Sequence, residues 1–255
     1  MNRNKDYIAV FDSGVGGISV LRHLRRWMPG ERYLSFGDSA NAPYGSRTTE
    51  EVRALTLAAA EKLTTEYRIK ALVIACNTAT AAAVKQVRAA YPELIVVGIE
   101  PALKVAADQF PGGNIGVMAT EVTLREEKFD GLLHRFEKDC TIIKIPAPGL
   151  VEYIEAGMVE GQELEDFLYR LLDPYMDDLD ALVLGCTHYP FAFKAIRNVL
   201  GPDVQLMEGG AGTARETKRR LKEAGLLQDG EGELLILNSS EDETMVQRSW
   251  QRFNL

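Results

Sequence analysis

One run of residues occurs twice. Ala71-Leu72-Val73-Ile74-Ala75-Cys76-Asn77-Thr78 returns as Ala181-Leu182-Val183-Leu184-Gly185-Cys186-Thr187-His188. Each copy is a short, wholly apolar stretch closed by one cysteine and then by hydrogen-bonding residues. Apolar residues without polar alternation fit a strand buried on both faces, the condition of a parallel sheet covered by helices on both sides. Such a strand delivers whatever follows its last apolar residue to the carboxyl edge of the sheet, where open α/β folds bind ligands. Two equivalent strand ends, each carrying a thiol, point to chemistry that needs a matched pair.

Two further echoes support duplication. Ile8-Ala9-Val10-Phe11-Asp12-Ser13 resembles Ile115-Gly116-Val117-Met118-Ala119-Thr120, and Pro92 through Glu100 resembles Pro202 through Glu208, an apolar strand ending in an acid. Three elements recurring in one order at nearly constant offset read as two copies of an α/β unit. The rival explanation is chance similarity among buried strands. Strands are expected at Tyr7–Phe11, Tyr33–Phe36, Ala71–Ala75, Leu94–Gly98, Asn114–Met118, Thr141–Ile145, Asp180–Gly185, Val204–Met207 and Glu233–Leu237. Helical patterns lie between them. The clearest runs from about Thr49 to Glu66, with Thr48 and Glu51 at capping-box spacing. This alternation predicts an α/β protein with mainly parallel sheets in three layers. The segment from about Glu208 has no counterpart before residue 100 and is expected to return to the first unit.

Composition narrows the setting. The net charge of −8 over 255 residues argues against a nucleic-acid backbone or an anionic membrane surface as a general partner. The start, Met1-Asn2-Arg3-Asn4-Lys5-Asp6, lacks the apolar core of a signal peptide, and no apolar run is long enough to span a bilayer. Three widely spaced cysteines argue against a disulfide framework. A cytoplasmic protein with reduced thiols is the expectation.

Cys76 and Cys186 each stand where a strand gives way to a helix, one opening at Thr78 and the other at Pro190. Helix amides and the positive end of the dipole would lower a thiol pKa there. The alternatives are a small buried hydrophobe and a metal ligand, but neither cysteine has a partner at zinc-site spacing. His188, two residues beyond Cys186, can act as a general acid or tune that thiol. Asp12-Ser13-Gly14-Val15-Gly16-Gly17 approximates a nucleotide loop, yet its third glycine is missing and a carboxylate precedes the turn, which would repel a pyrophosphate. A turn approaching a small ligand, with Asp12 as an ionisable group, fits better; glycines that merely make a turn are the bland rival. Pro43-Tyr44-Gly45 is turn chemistry on its own. His23 and His134 read as surface residues and Cys140 as structural.

Taken together, Phe11-Asp12-Ser13-Gly14-Val15-Gly16-Gly17, Gly37-Asp38-Ser39 with Pro43-Tyr44-Gly45, Ala75-Cys76-Asn77-Thr78-Ala79 and Leu184-Gly185-Cys186-Thr187-His188-Tyr189-Pro190 resemble the glutamate racemases of the aspartate/glutamate racemase family. The resemblance implies a cofactor-independent racemase without a metal, built of two pseudo-symmetric α/β domains with the active site in the cleft between them. It implies a first domain of 1–97 plus 208–255 and a second of 98–207. One cysteine would take the α-proton while the other donates a proton to the opposite face. Cys76 would deprotonate D-glutamate and Cys186 L-glutamate. Asp12 would assist Cys76, and His188 and Glu155 would assist Cys186. Ser13, Pro43, Tyr44, Gly45, Asn77, Thr78, Thr120, Thr123 and Thr187 would hold the substrate. The implied product, D-glutamate, would serve peptidoglycan biosynthesis, and the resemblance allows a homodimer. Other readings are a racemase for aspartate or another acidic amino acid, a DNA gyrase-binding inhibitor, and a catalytically dead ligand-binding protein. Retention of both cysteines and His188 argues against the last.

Overall fold

The nine segments expected as strands are all strands. In the computed structural model, which describes residues 5–125, 127–240 and 242–254, they run β1 (Tyr7–Asp12), β2 (Arg32–Gly37), β3 (Ile69–Ile74), β4 (Ile95–Gly98), β5 (Asn114–Ala119), β6 (Thr141–Pro146), β7 (Ala181–Leu184), β8 (Gln205–Glu208) and β9 (Glu233–Asn238). The polar lead Met1-Asn2-Arg3-Asn4 lies outside the described residues. The helices are α1 (Gly17–Trp27), α2 (Thr49–Glu66), α3 (Asn77–Ala90), α4 (Leu103–Gln109), α5 (Glu121–Arg125), α6 (Glu127–Leu133), α7 (Leu150–Glu155), α8 (Gln162–Leu172), α9 (Phe193–Leu200), α10 (Gly210–Glu223) and α11 (Glu243–Phe253). Helix α2 opens on the capping box read from the sequence: Glu51 N–H donates to Thr48 Oγ1, while Thr48 N–H donates to Glu51 Oε2.

Every strand pair is parallel. One sheet has the order β4-β3-β1-β2-β9 and the other β6-β5-β7-β8. Read from its far edge, the second is β8-β7-β5-β6, the same order as the first when β5 to β8 replace β1 to β4. The duplication is therefore topological. It includes β2 and β6, which share no sequence echo because only their pairing positions correspond. The extra strand is β9, which pairs with β2 after the chain returns through α10.

Strand side chains alternate between two cores, as the pleat requires. In β1, Ala9 and Phe11 pack toward α2 and α3 with Leu63, Val84 and Val87, while Ile8 and Val10 pack toward α1 and α10 with Leu21, Leu24 and Leu221. In β7, Leu182 and Leu184 join Ile154, Leu168 and Ile196, whereas Val183 joins Ala106, Phe129 and Leu133. Each sheet is thus covered on both faces, which explains why β3 and β7 have no polar alternation.

Two details depart from expectation. Pro190 does not open a full helix: Tyr189–Ala192 form a 3-10 turn and α9 begins at Phe193. Tyr189 N–H donates to Cys186 O at 3.2 Å and Phe191 N–H to His188 O at 3.0 Å, so three-residue spacing takes the chain through this turn. Lys70 is a fully buried cation in an otherwise apolar strand. Its Nζ lies 2.5 Å from Glu31 Oε2 and donates to Leu226 O at 2.9 Å, while Gln228 N–H donates to Glu31 Oε1 at 2.8 Å. This buried pair fastens the connection that leads back to β9. No helix among the described residues is long and apolar enough to cross a membrane.

Candidate active site

Each sheet contributes one thiol at its carboxyl edge. Cys76 follows β3 and is the N-cap of α3, its sulfur accepting from Ala79 N–H at 3.4 Å and lying 3.5 Å from Ser13 Oγ. Cys186 follows β7 and Gly185. The two cysteines line one cavity of about 280 Å³ together with Ser13, Pro43, Tyr44, Gly45, Thr78, Thr120 and His188. Ser13 and Thr120 occupy matching positions after β1 and β5, so the cavity repeats the internal symmetry in its lining.

The two sides differ behind the thiols. Beside Cys76 is Asp12, buried at the end of β1; its Oδ1 accepts from Gly14 N–H at 2.9 Å and its Oδ2 from Thr187 Oγ1 at 2.8 Å. Burial raises the Asp12 pKa, against the opposing influence of His188 and these hydrogen bonds. Cys76 is pushed up to about 12, by burial first and Asp12 next, outweighing the Ala79 amide and Ser13 hydroxyl. Its helix N-terminal position had suggested a lowered pKa. The amides are present, but desolvation of a buried sulfur next to a carboxylate wins.

Beside Cys186 the groups form a chain. His188 Nδ1 lies 3.7 Å from Cys186 Sγ, and its Nε2 lies 2.6 Å from Glu155 Oε1. A carboxylate only accepts, so Nε2 carries the proton of that bond and Nδ1 is left to exchange one with the sulfur. Burial opposes charging of His188, yet Cys186 and Glu155 together raise its pKa well above the ordinary value. Glu155 is lowered: its burial would raise it, but His188 and the Val15 N–H, which donates to Oε1 at 3.1 Å, prevail. The two sides interlock. Thr187 precedes His188 but donates to Asp12 on the opposite half, and Ser19 Oγ donates to Thr187 O at 2.9 Å.

Those contacts explain the glycine-rich turn. A Cβ on Gly16 would stand 2.5 Å from Thr187 Oγ1 and 2.6 Å from His188 Nδ1. None of the turn's glycines has positive φ; what Gly16 supplies is closeness between the two halves.

The remaining sequence-selected residues fall in distinct places. Thr78, Thr120 and Thr123 form a triangle of hydroxyls at 3.1, 3.0 and 2.9 Å, with Thr123 completely buried beneath the other two. Tyr44 donates to Asp38 Oδ2 at 2.6 Å, which anchors the Pro43-Tyr44-Gly45 turn. Asp12, Glu155, Thr123 and Thr187 stand behind the lining, and Asn77 lines a separate, smaller cavity with Glu100, Pro101 and Arg135. Sequence reasoning missed Ser46, Glu121, Ala147, Pro148, Gly149, Val151 and Glu152 in the main lining. Only Glu152, one turn before Glu155, carried a readable signal. His23 was expected on the surface but is partly covered, its Nε2 3.0 Å from Oε1 of Glu208 at the end of β8. No cluster of three or more His, Cys, Asp or Glu among the described residues could hold a metal ion.

Comparison with known proteins agrees over the whole chain. Residues 10–217 match the family described as Asp/Glu/Hydantoin racemase. A glutamate racemase of Clostridium botulinum is 46% identical over 252 residues, covering 98% of this chain and 97% of that protein. Among solved structures, a glutamate racemase isoform from Bacillus anthracis superposes with a TM-score of 0.89 at 30% identity, covering 98% of this chain and 94% of that one. The glutamate racemase of Francisella tularensis, solved in complex with D-glutamate, gives 0.86 at 26% identity, covering 99% and 95%.

Proposed function

The chain belongs to the glutamate racemases of the Asp/Glu racemase family, and we propose that it interconverts L- and D-glutamate by proton transfer between Cys76, Cys186 and the α-carbon. The observation that carries this reading is the pair of thiols facing one cavity from equivalent strand ends of two sheets. In the L to D direction the Cys186 sulfur takes the α-proton, and the C–H electron pair stays on the α-carbon. Cys76, protonated at rest because its pKa stands near 12, gives its S–H proton to the opposite face. The reverse reaction exchanges the roles. His188 Nδ1 passes protons to and from Cys186, with Glu155 holding the imidazole, while Asp12 and Thr187 attend the Cys76 side.

An α-proton is very weakly acidic, so the charge developing on the substrate must meet donors already in place. Ser13, Thr78 and Thr120 supply hydroxyls from both halves, and Thr123 orients two of them. Neutral donors suit two carboxylates beside a sulfur that must carry charge in turn. The same reading divides the chain into domains of 1–97 plus 208–255 and 98–207, assigns the D-glutamate to peptidoglycan biosynthesis, places the protein in the cytoplasm, and allows a homodimer.

The test is incubation with each enantiomer in heavy water without pyridoxal phosphate. Deuterium is expected at the α-position as the opposite enantiomer accumulates. Cys76→Ala and Cys186→Ala should each abolish racemisation. Racemisation at the wild-type rate in either variant overturns the two-thiol mechanism, and no exchange with either enantiomer overturns the activity.

A further inference from the structure

Helix α7 is six residues long, yet its last residue is Glu155, which must keep one carboxylate oxygen on both His188 and Val15. So short a helix gains little rigidity from its own hydrogen bonds. What holds its end comes from the other half of the molecule. Helix α11, packed against α1 and β9, sends Arg248 Nη1 to Glu155 O at 3.0 Å and Arg252 Nη2 to Ile154 O. Cations at a helix C-terminus also complement its dipole.

Arg252 is unusual in its setting. It is buried, with 6% exposure, and its guanidinium stacks over Phe191 at 5.2 Å. Phe191 in turn donates its N–H to His188 O. Arg252 therefore touches both segments that carry the relay: the end of α7 with Glu155, and the turn that follows His188. Its Nη1 and Glu155 Oε2 are buried and have no hydrogen-bond partner among the described residues. An apolar side chain of similar length would fill this space without the cost of burying a cation. We infer that Arg252, seconded by Arg248, is a positioning residue that sets Glu155 against His188 and so governs proton exchange at Cys186. The inference rests on the reading that His188 and Glu155 serve Cys186.

The test compares Arg252→Met, Arg252→Lys, Glu155→Gln and the Arg252→Met/Glu155→Gln double variant of the full chain. Readouts are kcat and KM with both enantiomers and urea unfolding. Arg252→Met is expected to lower kcat by roughly tenfold, the scale of coupling within one hydrogen-bonded network. KM should stay unchanged, because Arg252 is absent from the cavity lining. Arg252→Lys should recover most of the loss. The double variant should be no slower than Glu155→Gln alone. Wild-type kcat in Arg252→Met, or losses that multiply in the double variant, overturns the inference. Should Arg252→Met fail to fold, Arg248→Gln takes its place in the same cycle, with a smaller loss and the same non-additivity expected. Full activity in Glu155→Gln overturns the relay itself. Impairment there beside an unimpaired Arg252→Met overturns only the role of Arg252.

Discussion

Gly16→Ala separates steric closeness from backbone freedom in the turn after β1. Gly16 has φ −58° and ψ −35° at the N-cap of α1, a conformation open to any L residue, so alanine meets no dihedral penalty. Alanine's interior helix propensity brings no gain at an N-cap, where glycine is the preferred of the two. Space adds the larger cost. The added methyl would lie 2.5 Å from Thr187 Oγ1 and 2.6 Å from His188 Nδ1, where ordinary contact begins at 3.4 Å, leaving shortfalls of about 0.9 and 0.8 Å. Neither neighbour is free to retreat: Thr187 is tied to Asp12, and His188 to Glu155. Overpacking of this kind costs about 1–3 kcal/mol. A catalytic group displaced by about 1 Å loses on the order of a hundredfold in rate. Urea unfolding should show the destabilisation and polarimetric racemisation the fall in kcat. Gly212→Ala on α10, where nothing lies within 4 Å, is the control and should stabilise by about 0.4–1 kcal/mol. Wild-type kcat and stability in Gly16→Ala would refute the claim that this glycine exists to admit the opposite half of the site.

The His188–Glu155 pair gives stability a pH window. The folded-state His188 pKa is raised above its ordinary 6.5, so its contribution is complete below 6.5 and fades as pH climbs through the raised value; Glu155 is lowered from 4.5, so its contribution is complete above 4.5 and fades in stronger acid. The stability deficit of Glu155→Gln should therefore be greatest between pH 4.5 and 6.5, at about 2 kcal/mol, and shrink on both sides; a deficit that is flat with pH contradicts the pairing. Lys70→Met leaves Glu31 buried without its cation and should cost about 3–5 kcal/mol in urea unfolding, with a change under about 1 kcal/mol arguing against the pair's structural role. Thr48→Ala removes one half of the α2 capping box and should cost about 1 kcal/mol; no loss in thermal unfolding would show that the helix start is held by packing alone.

The parts legible in the sequence were those set by local pattern. Wholly apolar runs announced buried parallel strands, and the Thr48-to-Glu51 spacing announced the start of α2. The repeated cysteine run announced paired sheet edges, because strand ends are defined within a few residues. What escaped depended on distant segments. The raised pKa of Cys76 comes from burial beside Asp12, 64 residues earlier in the chain, so the helix N-terminus alone gave the wrong sign. Asn77 follows Cys76 directly yet lines another cavity, because the first turn of α3 carries successive side chains around the helix axis. Pro148 and Gly149 entered the lining through the approach to α7 and Val151 from its first turn, a segment without motif or repeat. Arg252 was unreadable for the same reason: its partners are carbonyls and an aromatic ring, which leave no pattern in sequence.

The symmetry of the sheets and the asymmetry around the thiols act on different quantities. Two enantiomers in water have equal free energy, so their equilibrium constant is one, and kcat/KM must be the same in both directions however the groups behind each sulfur differ. Asp12 beside Cys76 and the His188–Glu155 chain beside Cys186 cannot favour one product. They can set where the single mobile proton rests between turnovers. Burial and Asp12 keep a proton on Cys76, which in the proposed mechanism is the thiol that donates when L-glutamate is the substrate. Matched strand ends are required by the substrate's mirror symmetry; unmatched surroundings are required because one sulfur must hold a proton while the other does not. The duplicated fold satisfies the first condition, and the second is met where Thr187 and Glu155 each reach across to the opposite half.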